Sequence, residues 1–182
     1  MNLKELLSNR KETIINKWFD LIIDSYPPDT AHFLRTQKNQ FTNPVGHTIH
    51  NAIEGILDEL LEPSDSAKLT SHLDSIIRIR AIQGFTPSVA LNFLFLLKKV
   101  VRDEIQAEAG MNGVAEELLG FESQVDGLLK ESFDIYMACR EKLYELSANE
   151  ARNMTYRLLE SANLLKDSSE TFHPEGDGFD SG

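Results

Sequence analysis

The chain has one cysteine, one tryptophan and six prolines in 182 residues, and each scarcity narrows what it can be. A lone Cys139 forms no internal disulfide, so the fold does without cross-links and suits a reducing, cytoplasmic setting. No apolar run approaches the roughly 18 residues that span a bilayer, and the opening MNLKELLSNRKE lacks the apolar centre of a secretion signal. Basic residues are also few. There are 18 Lys+Arg against 29 Asp+Glu, a net charge of −11. The deficit sits late in the chain: residues 1–105 carry 12 basic and 13 acidic groups, and residues 106–182 carry 6 and 16. Such a surface repels phosphate backbones and anionic lipid, which disfavours nucleic acid and membranes as partners. It suits a basic protein surface, or serves only to keep the chain soluble.

Catalytic patterns are missing as well. There is no Gly-x-Ser-x-Gly elbow, no cysteine-centred signature and no phosphate-cradling glycine loop. No histidine falls between Val114 and Lys166, which removes the phospho-accepting helix of a histidine kinase. The expectation is a protein that is not an enzyme, with no cofactor or metal. In the last segment, Asp177-Gly-Phe-Asp180 lacks the alternating ligands and closing glutamate of a calcium loop.

What is present is helical periodicity, with 41% hydrophobic and 26% charged residues, enough for a core of ordinary size. Leu6, Leu7, Ile14, Ile15, Trp18, Phe19, Ile22 and Ile23 predict a first helix from Asn2 to Ser25, stopped by Tyr26-Pro27-Pro28. A short helix follows at 29–35. Asn43-Pro44 is a cap followed by a proline at the first helical position, and Val45, Ile49, Ala52, Ile53, Ile56, Leu57 and Leu60 carry that helix to Leu61. Next comes a helix from Ser66 to Gln83, closed by Gly84 in a left-handed conformation. Thr86-Pro87 opens an apolar helix running to Ala109, with Thr86 as its side-chain cap. Residues 110–113 break the chain, and Val114 to Lys166 form either one long helix or two end to end. No strand pattern occurs. The boundaries predict a helical domain at 1–146, a further helix at 147–166 and a disordered acidic tail at 167–182. Ala151, Met154, Leu158 and Leu165 form a stripe too narrow for a core helix and suited to a helix seam.

Three groups are candidates for binding. His47, His50 and Glu54 share a helix face, but it lies opposite the apolar stripe, which argues for solvent over a metal. His72 is either a boundary histidine or an axial haem ligand. Arg80 occupies the stripe position where Leu69, Leu73 and Ile76 call for an aliphatic side chain. It must bond the last carbonyls of its own helix or meet an anionic ligand. Arg80, Gln83 and His72 are therefore the candidate ligand-binding residues.

Phe41-Thr-Asn-Pro-Val-Gly-His-Thr-Ile and Arg78-Ile-Arg80-Ala-Ile-Gln83-Gly-Phe-Thr-Pro87-Ser, the latter followed by Phe93-Leu-Phe95-Leu-Leu-Lys-Lys, together resemble the RsbRD N-terminal domain of RsbT co-antagonist proteins. Trp18 and the Tyr26-Pro27 stop fit the same family. The resemblance spans roughly residues 5–145. It implies an all-α, globin-like bundle of about six to eight helices with a long C-terminal helical segment, lacking haem and acting as a sensory or scaffolding module. It also implies a homodimer that signals to another protein through its C-terminal helix. Such domains commonly precede a phosphorylatable or kinase output domain. None is visible in these 182 residues, so a stand-alone sensor or adaptor is expected.

Overall fold

The computed structural model describes residues 2–108 and 113–170, with side chains described as far as residue 163. Among the described residues the chain is all helical, with no strand. The helices are α1 (Leu3–Asn9), α2 (Lys11–Ile23), α3 (Pro28–Thr36), α4 (Pro44–Leu61), α5 (Ser66–Ile82), α6 (Pro87–Ala90), α7 (Asn92–Glu108) and α8 (Ala115–Glu170). Two compact units are distinguished, residues 1–140 and 141–182. The periodicity placed its boundary at 146/147.

Several helix starts follow directly from local chemistry. Asn2 and Glu5 form a reciprocal capping box on α1, and Asp65 caps α5 by accepting from the Ala67 N–H at 2.9 Å. Asn43 does more than cap. Its Oδ1 accepts from the Gly46 N–H at 2.8 Å, while its Nδ2 donates to the carbonyls of Leu34 and Gln37, each at 3.0 Å. The buried amide thus ties the end of α3 to the first turn of α4. Gly46 is required beside it, since a Cβ there would lie 2.4 Å from Asn43 Nδ2.

In the first unit α2 packs on α7 and α4 on α5. Trp18 sits at their centre, fully buried, its indole N–H donating to the Phe93 carbonyl at 2.7 Å. A buried indole needs such an acceptor, because an unmet donor there costs about 1–3 kcal/mol. Glu104 on α7 is also buried, and is met by Lys17 of α2.

Two predicted helices are each divided in two. The first breaks at Arg10 (φ −104°, ψ 7°), so that α1 folds against both α2 and α4, burying Leu3, Leu6 and Leu7. The helix after Pro87 breaks at Leu91 (φ −94°, ψ −4°), because the carbonyls of Val89 and Ala90 are taken by a side chain from α5. Thr86 makes no side-chain cap; its hydroxyl lies 3.2 Å from that of Ser88.

The long C-terminal segment is one continuous helix, α8, with Gly113 (φ +98°) preceding it. It reaches Glu170, so Asp167–Glu170, expected within the tail, are helical. Residues 171–182, including the segment weighed for calcium, lie outside the described residues.

Candidate functional site

The α5–α6 corner surrounds Arg80, one of the buried charged residues of the first unit. Gly84 has φ +80°, a conformation glycine accepts at little cost, and it lets the chain reverse there. The Gly84 N–H donates to the Ala81 carbonyl at 3.1 Å and the Phe85 N–H to the Arg80 carbonyl at 3.2 Å. This pairing is a Schellman motif, which closes α5 and turns the Phe85 ring back toward the last turn.

Arg80 extends beneath that ring and is 1% exposed. Its Nε donates to the Ala90 carbonyl at 3.1 Å, and its Nη2 to the Val89 carbonyl and to Ser25 Oγ, both at 2.9 Å. The guanidinium carbon lies 4.6 Å from the Phe85 ring centre and 5.6 Å from that of Tyr26. No carboxylate pairs with it among the described residues. Two carbonyl dipoles, a hydroxyl and two aromatic faces stand in for a counter-ion. Burial lowers the guanidinium pKa and neighbouring Tyr26 opposes the shift, but arginine remains charged throughout the physiological range. The carbonyls that Arg80 bonds belong to α6, not to its own helix.

Gln83 joins the cluster through Tyr26, whose hydroxyl donates to Gln83 Oε1 at 2.8 Å. Burial raises the Tyr26 pKa, against the opposing pull of Arg80. Within the first unit, α8 is fastened to the corner twice. Tyr136 donates its hydroxyl to the Phe85 carbonyl at 2.6 Å, and Arg140 Nη1 donates to the Ala81 carbonyl at 3.2 Å.

The other sequence candidates lie elsewhere. His72 is half-buried at the α4–α5 contact, where a Cβ on Gly55 would come within 2.3 Å of its Nε2. That nitrogen therefore faces the α4 backbone at close range. His47 lies 2.9 Å from Asn51 Nδ2, His50 is edge-on to Phe19, and Glu54 pairs with Lys11 at 3.4 Å. Among the described residues no group of three or more His, Cys, Asp or Glu could hold a metal ion. In the second unit Met154 is 68% and Leu158 70% exposed, and Ala151 is exposed beside them. The side chain of Leu165 lies outside the described residues.

Sequence reasoning passed over Tyr26, Phe85 and Tyr136 as site residues. Phe85 carried a usable signal, since a large apolar residue directly after a helix-closing glycine commonly packs back on the last turn. Tyr26 and Tyr136 meet the corner only through long-range folding.

The hydrogen bonds of this corner tie the segment after α2 to α5, α5 to α6, and α8 to the α5–α6 turn. Residues 12–151 match the model of the RsbT co-antagonist protein rsbRD N-terminal domain, and the chain belongs to that family. It is also 27% identical over 143 residues to an uncharacterized protein of Archaeoglobus fulgidus, a match covering 77% of this chain and 83% of that one. No solved structure matches the chain.

Proposed function

We propose that the protein is a non-catalytic, cytoplasmic regulatory module that works by homodimerisation and by contact with another signalling protein. The family supports a signalling-related sensory role. The observation that carries the reading is the apolar stripe of Ala151, Met154 and Leu158, exposed on α8 in the second unit. Exposed large aliphatics repeating at three and four residues mark a helix seam awaiting a partner helix. A second copy of the chain supplies one with the same pattern. No helix among the described residues is long and apolar enough to cross a membrane.

In this reading the Arg80 corner is the mechanical link. A change at the ends of α2 or α5 reaches α8 through the hydrogen bonds of Tyr136 and Arg140, and α8 carries it to the seam. Light scattering on the full chain tests the seam. Met154→Asp with Leu158→Asp is expected to convert a dimer to a monomer of unchanged helical content, while Glu160→Lys, outside the stripe, leaves the dimer. A double variant that stays dimeric removes the seam from the reading.

A further inference from the structure

A cleft of about 470 Å³ lies where α2, α3 and α4 meet, within the size range of small-molecule sites. Its shape is set by the Asn43 tie, which holds the end of α3 against the start of α4. Arg35 braces the same walls. It donates to Asp20 Oδ1 at 3.2 Å and to the Asp20 carbonyl at 3.0 Å, and it pairs with Asp24, so its charge is already committed.

Of the remaining lining, His47 is already bonded to Asn51, at 2.9 Å from its Nδ2. Phe19 and Leu34 give an apolar flank, with the His50 ring standing edge-on to Phe19 at 5.7 Å. Asn16, Gln37 and Lys38 line the cleft as well, and their side chains have no partner among the described residues. In a chain of net charge −11, a concavity whose one acid, Asp20, is bonded to arginine and whose free cation is Lys38 favours an anion.

We propose that this cleft binds a small aromatic carboxylate. The flat apolar flank selects the ring, and Lys38 with the amides of Asn16 and Gln37 selects the charged end. One uncommitted permanent cation matches a single negative charge. A phosphate dianion would face the Asp20 carboxylate with too few donors of fixed charge. This site goes beyond the dimer reading and stands without it, since every residue named belongs to the first unit.

Benzoate titrated into the ¹⁵N-labelled full chain is the test, with benzamide lacking the charge and acetate lacking the ring. Saturable amide shifts confined to residues 16–20, 34–38 and 46–50 are expected in the low-millimolar range, with benzamide and acetate at least fivefold weaker. Lys38→Glu is expected to weaken benzoate at least fivefold, whereas Lys130→Glu, the same charge change on α8 outside the lining, leaves it unchanged. Absent or non-saturable shifts, equal affinity for benzamide, or an indifferent Lys38→Glu overturns the site. Because Lys38 is exposed, the variant tests binding without disturbing the core.

Discussion

Arg80 reaches from α5 to the carbonyl of Val89, 2.9 Å from its Nη2, and so ends α6 after four residues. One side chain thus accounts for two features: a charge at a core position, and a helix that stops amid apolar residues with no glycine or proline to stop it.

Replacing that side chain exposes the dependence. Arg80→Met keeps the bulk but strands the carbonyls of Val89 and Ala90, and the expected loss is about 2–4 kcal/mol in urea unfolding, from a cost of about 1–3 per buried unmet group. Arg80→Lys is expected to recover little, because an ammonium lacks the planar fork that reaches both carbonyls and stacks on Phe85. Hydrogen exchange is expected to quicken first at the start of α7 and near Tyr136, with α4 unaffected.

Asn43 and Gly46 form a coupled pair. Asn43→Ala leaves three backbone groups unmet and is expected to cost about 1–3 kcal/mol. Gly46→Ala drives a methyl into the Asn43 side chain and is expected to cost about 1–3 kcal/mol. The double variant removes the clash along with the cap, so it is expected to lose clearly less than the two singles together. Additive losses in that thermodynamic cycle would break the proposed link between the two positions.

Glu59 predicts an acid-dependent contribution. Its carboxylate accepts from the Ser64 N–H at 2.9 Å, the Ser64 hydroxyl at 2.8 Å and the Asp65 N–H at 3.2 Å, holding the turn before α5. These bonds lower its pKa from 4.5 to about 2, with the Ser64 backbone bond the largest cause. A depressed folded-state value means the stabilisation is fully present above pH 4.5 and lost as pH falls toward 2. The gap in melting temperature between the native chain and Glu59→Gln is therefore expected to be constant above that window and to shrink within it. A gap that widens on acidification contradicts the assignment.

Local signals explain what the sequence disclosed. Asn43-Pro44 and Gly84 encode their own turns, and α4 runs from Pro44 to Leu61, the span its cap and apolar stripe predict. The breaks at Arg10 and Leu91 were hidden because neither residue is a helix breaker. Leu91 yields to a guanidinium eleven residues upstream, and Arg10 to the burial of Leu3, Leu6 and Leu7 against two other helices. Arg80 was identifiable as anomalous, but its partners were not, since Ser25 and Tyr26 arrive from the turn after α2 and Val89 from α6. The cleft was likewise invisible. His50 reads as part of a solvated face until α2 brings Phe19 beside it.

The central claim is that α8 pairs with α8 of a second copy, and sedimentation equilibrium of the unaltered full chain tests it most directly. A mass near twice 20.6 kDa, falling toward that value only on dilution, is the expected result. A mass of 20.6 kDa at every concentration would contradict it.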